Sequence, residues 1–238
     1  MKLTVLGTCG PFPKPGSACS GYLLESEKTR ILLDCGSGVL SRLLRVCDIS
    51  SLDAVVLTHL HFDHCSDIGV LRYALEASPK KPVIRLLAPD TAGTVLEPFL
   101  KGTGVFQVET VSSGMECVAG SLLLRFSRAV HPVEAYCVGI EGEGRSFFYT
   151  GDTALFDGLD DLMRGADLAV ADSCFTDEQA KIRKGIHMSP GEIVQLRERA
   201  GVGRMVLSHH FGGDPEDAVK PPLPDGCIYA EDISVFEF

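Results

Sequence analysis

Short apolar runs bounded by glycine, proline or charged residues recur along the chain and predict strands at Leu3–Leu6, Gly21–Leu24, Ile31–Asp34, Ala54–Leu57, Val83–Leu87, Phe106–Val111, Leu122–Ser127, Tyr136–Glu141, Ser146–Tyr149, Leu168–Ala171 and Met205–Ser208. Helical spacing of apolar positions falls at Gly38–Val46, Ile68–Glu76, Thr91–Phe99, Leu159–Arg164 and Pro190–Ala200. The last segment carries its own punctuation, with Ser189 as N-cap, Pro190 in the first turn, Glu192 closing a capping box and Gly201 as the stop. Strands arrive in hairpin-like groups in each half and are followed by helices. The pattern therefore predicts an α/β (α+β) chain with two mixed β-sheets face to face and helices on the outer faces. Gly102–Gly104 and Pro221–Pro224 read as loops, and no Pro-, Gly- or Ser-rich linker or fixed-period repeat divides the chain, so residues 1–238 are read as one domain.

Composition narrows the classes. The 238 residues are 45% hydrophobic, enough for a buried core. A formal net charge of −10 leaves no basic stripe for a phosphate backbone, so extended nucleic acid is not the expected partner, whereas a small phosphorylated molecule drawn in by metal cations is compatible. Nine scattered cysteines, an odd number without a Cys-x-x-Cys pair, read as reduced thiols of a cytoplasmic protein rather than a disulfide scaffold or zinc ribbon. Met1–Gly7 reads as a strand rather than a leader, and no apolar run reaches membrane-spanning length.

The densest chemistry lies in Thr58-His59-Leu60-His61-Phe62-Asp63-His64, directly after an apolar run that reads as a buried strand. Three histidines and an aspartate delivered by a buried strand into a His-poor chain have no packing rationale, and they suit zinc, iron or manganese. On an extended backbone His59, His61 and Asp63 would point one way and His64 the other, so two clusters are expected. His131, held extended by Pro132, is a third histidine for one metal. Asp152 in Gly151-Asp152-Thr153 either bridges two cations or caps a helix. Ser208-His209-His210 offers His209 as the last ligand, with His210 as the alternative, and Cys65 either lines the site or fills core space. Together, His59, His61 and His131 would hold one metal and Asp63, His64 and His209 the other, with Asp152 between them. Such pairs sit about 3.5–4 Å apart and share a hydroxide made available near neutral pH.

This order of residues resembles the metallo-β-lactamase fold superfamily, whose HxHxDH run, later His, bridging Asp and final His occur here in sequence. The resemblance covers most of the chain and implies a four-layer αββα sandwich. Gly185-Ile186-His187-Met188-Ser189, preceded by LAVADSCF at Leu168–Phe175, is similar to the ribonuclease Z branch and its cyclic phosphodiesterase relative. That likeness implies that His187 protonates the leaving oxygen or stabilises the pentacoordinate phosphorane, that Asp172 orients His187, and that Asp34 supports the ligands from behind. Asp63 counts both as a ligand and, with His187 and Asp172, among the catalytic residues. Gly36-Ser37-Gly38-Val39-Leu40 stands where ribonuclease Z carries Gly-Glu-Gly-Thr-Gln, Pro13–Ser17 lacks its Arg-Asn element, and no basic Gly-rich arm is present. The opening segment and LLDCGSGVLSRL are closer to the short bacterial hydrolases of the YhfI type.

The expected function is a cytoplasmic hydrolase with two divalent ions, zinc or alternatively manganese or iron, cleaving a small phosphodiester or cyclic nucleotide. Alternatives are a ribonuclease Z-like nuclease, a lactone or thioester hydrolase, an iron redox protein and a non-catalytic RNA binder. The resemblance also implies a homodimer.

Overall fold

The computed structural model describes residues 1–213 and 220–238. The chain runs β1 (Lys2–Gly7), β2 (Cys9–Gly10), β3 (Gly21–Glu25), β4 (Arg30–Leu33), α1 (Val39–Val46), β5 (Ala54–Val56), α2 (Phe62–Cys65), α3 (Ile68–Ala77), β6 (Ile84–Ala88), α4 (Glu97–Leu100) and β7 (Phe106–Thr110). It continues through β8 (Glu116–Ala119), β9 (Leu122–Arg128), β10 (Tyr136–Gly142), β11 (Arg145–Tyr149), α5 (Leu159–Leu162), β12 (Leu168–Asp172), α6 (Asp177–Ile182), α7 (Pro190–Ala200), β13 (Arg204–Ser208), β14 (His210–Phe211), β15 (Cys227–Tyr229) and β16 (Val235–Glu237). One sheet has the order β16-β1-β3-β4-β5-β6-β7 and the other β15-β13-β12-β11-β10-β9-β8. Both are mixed. β4 to β7 are parallel in the first and β11, β12, β13 and β15 in the second, with antiparallel strands completing each.

Period-two alternation explains the layers. Leu3, Val5, Tyr22, Leu24, Ile31 and Leu33 of the first sheet share one core cluster with Phe126, Val138, Ile140, Phe147 and Val170 of the second. Residues of opposite parity, such as Leu23, Leu32 and Val55, face outward onto Leu43 of α1 and Leu71 and Leu75 of α3. Phe148, Ala169 and Met205 do the same beneath Ile193 and Leu196 of α7. These are the four layers of an αββα sandwich, and each fully buried Leu or Phe contributes about 1.5–3 kcal/mol.

Most predicted elements form within a residue or two, and the Ser189–Glu192 capping box and left-handed Gly201 stop are present. Two expectations need correction. The Thr91–Phe99 helix contracts to α4, because Gly93 takes φ +72° and the Asp90 side chain accepts the Ala92 N–H in a local turn. The extended run through Asp63 turns instead into α2 after His61, which redirects the residues that follow. The short strands β2, β8, β14, β15 and β16 escape prediction because they carry too few apolar positions to show a period. No helix among the described residues is long and apolar enough to cross a membrane.

Candidate metal centre

Parallel strands deliver their following loops to one edge of the sandwich, the usual place for chemistry in mixed α/β sheets. β5 leads into Thr58–His61, β11 into Gly151-Asp152, and β13 into His209, while His131 follows β9. His59 Nε2 lies 3.0 Å from His61 Nδ1, and His61 Nδ1 lies 3.2 Å from His131 Nε2. Asp152 Oδ2 faces this trio, 3.7 Å from His59 and 4.0 Å from His131. The other carboxylate oxygen, Oδ1, faces a second group, 3.1 Å from His64 Nε2 and 3.4 Å from His209 Nε2. Asp63 Oδ2 completes that group at 3.1 Å from His209 and 3.6 Å from His64. A cleft of about 350 Å³, lined by residues of both groups, opens above them.

The helical turn of α2 explains the partition. On an extended backbone Asp63 would side with His59 and His61, but α2 starts after His61, and its rotation carries Asp63 and His64 together into the second group. Asp152 caps no helix, since α5 begins only at Leu159. His210 turns away, its Nε2 3.3 Å from the Ala230 carbonyl and its pKa lowered to about 3, chiefly by burial. Cys65 packs in the core and donates to the His61 carbonyl.

The donor set fits cations. Neighbouring ligand atoms around a tetrahedral ion with bonds of about 2.0–2.1 Å stand about 3.3 Å apart, which matches most of these separations. His64 Nε2 and Asp152 Oδ1 are buried yet have no hydrogen-bond partner among the described residues, close as they are. A buried polar atom left so costs about 1–3 kcal/mol, which a shared cation would relieve. Burial keeps His59, His61 and His131 neutral by lowering their pKa values, so each offers a lone pair. Burial also opposes charge on His64, but Asp152 and Asp34 outweigh it and raise the pKa to about 10. His209 is likewise raised against burial, chiefly by Asp152. The second group thus draws positive charge into a buried place, and ions would take over the role of those protons.

The outward ring nitrogens of His131, His64 and His59 are tied down, a pattern that fixes tautomers in metal sites. The His131 Nδ1–H donates to the Ile186 carbonyl at 3.1 Å. The His64 Nδ1–H donates to Asp34 Oδ2 at 2.7 Å. Asp34, in the left-handed region at φ 57°, also accepts from the Tyr149 hydroxyl, the Thr58 amide and the Thr58 hydroxyl. That hydroxyl in turn accepts from the His59 Nδ1–H at 3.2 Å, so one carboxylate braces both groups. Asp34→Ala is expected to weaken metal affinity about 10–100-fold. It should also leave four buried donors without their acceptor, and metal titration alongside thermal melting reads both effects.

Asp172 sits beside the centre. Its Oδ2 accepts from the His187 Nδ1–H at 2.7 Å and from the Thr153 amide at 3.0 Å. Oδ1 accepts from the Cys174 amide and lies 3.5 Å from His209 Nδ1. His187, part-exposed on the cleft wall, packs near the rings of His131 and His209 at centroid distances of 5.5 and 5.2 Å. The structure therefore brings together His59, His61, Asp63, His64, His131, Asp152, His209, His187, Asp172 and Asp34.

Four contributors have no sequence signal of their own. Thr58 and Tyr149 adjoin predicted ligands and brace Asp34, but side-chain identity alone does not mark them. Gly10 and Gly36 leave room for the centre. A Cβ at Gly10 would stand 2.0 Å from His209 Nε2, and one at Gly36 1.9 Å from the Asp63 carbonyl oxygen.

Residues 29–210 match the family model of the beta-lactamase superfamily domain. The chain is 33% identical over 220 residues to the probable metallo-hydrolase YhfI of Bacillus subtilis, covering 89% of this chain and 88% of that one. The crystal structure of that metallo-beta-lactamase fold protein superimposes with a TM-score of 0.88 at 28% identity over 99% of each chain. A ribonuclease Z from Mycobacterium bovis is 29% identical over 244 residues, covering 88% and 86% of the two chains. A diphosphatase of the PhnP family shares the fold, with a TM-score of 0.79 at 20% identity over 100% of this chain and 97% of that one.

Proposed function

Given that the chain belongs to the beta-lactamase superfamily, we propose that it is a dinuclear phosphodiesterase that acts on a small phosphodiester such as a cyclic nucleotide. At the coarser level it is a metal-dependent hydrolase, as its relatives' names and the His/Asp cluster together indicate. His59, His61, His131 and Asp152 would hold one ion, and Asp63, His64, His209 and Asp152 the other. Bound there, divalent ions supply Lewis acidity and make hydroxide available near neutral pH. Zinc suits the donors best, with manganese and iron as alternatives.

The observation that carries the phosphodiesterase reading is the His187–Asp172 pair on the cleft wall. Phosphoryl transfer passes through a loose transition state in which the bond to the leaving oxygen is largely broken, so an alkoxide needs a proton as it departs. Asp172 accepts the Nδ1–H of His187 and so fixes the ring, which leaves Nε2 as the atom that would hand over the proton. The ribonuclease Z relative carries a name for phosphodiester cleavage, and the acidic balance of this chain favours a small substrate over a long RNA. The same reading places the enzyme in the cytoplasm, consistent with nine cysteines free of disulfides, and as a homodimer by resemblance.

A panel of bis-p-nitrophenyl phosphate, cyclic nucleotides, lactones, thioesters and a precursor transfer RNA, run with zinc and with manganese, tests the reading. Turnover of the small phosphodiesters is expected. Turnover confined to the lactones and thioesters, or to the RNA, would refute it.

A further inference from the structure

A second cavity, of about 410 Å³, adjoins the metal-centre cleft and shares Pro11, Ile186 and His187 with it. Its volume lies within the range of about 300–1,000 Å³ typical of small-molecule sites. Phe175 and Phe211 line it, with Arg183 and Gln179 at its edge. Phe175 is buried, whereas Phe211 is 40% exposed and is met edge-on by Phe12 at 5.8 Å. Among the described residues five aromatic side chains are exposed (Phe12, Phe62, Tyr73, Phe99 and Phe211), and three of them gather here, since Phe62 lines the metal-centre cleft. Exposed aromatics grouped at a catalytic cleft have no folding role and mark a binding surface.

Charge singles out the same place. The chain carries −10 overall, yet Arg183 and Lys184 follow α6 directly, while Lys181 within α6 is paired with Glu178 at 2.6 Å. The Arg183 guanidinium lies over the Phe175 ring, 5.8 Å from its centroid. An aromatic ring backed by a stacked guanidinium receives flat π-systems, and every nucleobase presents such a face. Gln179 spends its carbonyl oxygen on the Thr176 amide, so its NH₂ group is the end that would donate to a base. An acyl chain would use the apolar walls but gain nothing from Arg183 or that amide.

We propose that the cavity between Phe175 and Phe211 is the subsite for the nucleobase of a nucleoside phosphodiester, with Phe211 as the stacking residue that sets specificity and Arg183 as the cation at its rim. The inference rests on the phosphodiesterase reading and names its substrate class. It places the phosphate beneath His187, which both cavities share, and the base on the side away from Phe62.

The test compares kcat/KM for thymidine 5′-(p-nitrophenyl phosphate) and methyl p-nitrophenyl phosphate, two esters with one leaving group. Wild type should prefer the nucleoside ester. Phe211→Ala should cut that preference about tenfold, mainly through KM, and Phe211→Trp should retain it. A wild type without preference, or a preference that Phe211→Ala leaves unmoved, would overturn the assignment. Calorimetric binding of thymidine 5′-monophosphate to the metal-loaded protein separates this failure from that of the reaction. If neither ester is cleaved but the nucleotide binds to wild type and not to Phe211→Ala, the subsite stands and the phosphodiesterase reading falls. No binding to wild type sinks the subsite.

Discussion

Asp152→Asn is expected to strip the protein of bound metal and to lower phosphodiester turnover by about 10³-fold or more, because it removes the one carboxylate that faces both ligand groups. The side chains around it explain the size of the effect. Asp152 is buried, and its oxygens face different groups, Oδ2 towards His59 and His131 and Oδ1 towards His64 and His209. An amide of the same shape would keep the packing but remove the negative charge that offsets two cations in a buried place. It would also present an NH₂ group to one of the two histidine groups, where a lone pair is needed. Elemental analysis of the purified variant, with circular dichroism to show that it folds, separates a lost centre from a lost fold. A variant that retains both ions and turns over within tenfold of wild type would refute the bridging assignment.

His187→Ala has the second largest expected effect, and its pattern is as informative as its size. With a cyclic nucleotide, whose leaving group is an alkoxide, loss of the general acid should lower kcat about 10²–10⁴-fold. With bis-p-nitrophenyl phosphate the loss should be far smaller, since p-nitrophenolate departs without a proton. Metal content should match wild type, because His187 commits its Nδ1 to Asp172 and the two proposed ligand groups are complete without it, although it also falls in candidate sets with Cys174 or Asp172 that share His209. Asp172→Asn should reproduce part of this pattern by leaving His187 unoriented, and it should also disturb His209, whose Nδ1 lies 3.5 Å from Asp172 Oδ1. Equal losses on both esters would mean that His187 acts on the metal centre rather than on the leaving group. An unchanged rate on the cyclic nucleotide would remove the main support for phosphodiester chemistry.

The residues of the centre differ in how far the sequence reveals them. His59, His61, Asp63 and His64 stand together in the chain, and local density alone marks them. His131, Asp152 and His209 are isolated, yet each follows a strand, and that placement puts a side chain at a sheet edge. Grouping was harder. Alternation sorts residues only while the backbone stays extended, and the single turn of α2 moves Asp63 from the first group to the second. A four-residue helix such as α2 is too short to show the amphipathic stripe that would announce it.

The subsite beside His187 was beyond reach for a different reason. Phe175, Arg183 and Phe211 come from β12's following loop, the end of α6 and β14, and nothing in their local sequence links them. Gly10 and His209 are 199 residues apart, yet only a glycine leaves room for that imidazole.

By itself the sequence determined the longer strands, the two-sheet layering and the identity of the residues gathered at the centre. The strands, the layering and the ligand run follow from periodicity and local density, which are properties of neighbours along the chain, whereas His187, Asp172 and Asp34 come from the resemblance to the superfamily and its ribonuclease Z branch. Only the tertiary structure decided that the turn of α2 is what carries Asp63 to His64 and His209, that Asp34 braces both groups through His64 and Thr58, and that an aromatic cavity opens beside the centre. Those are distances between residues far apart in sequence, set by how two sheets pack and where their loops meet, and no local pattern encodes them.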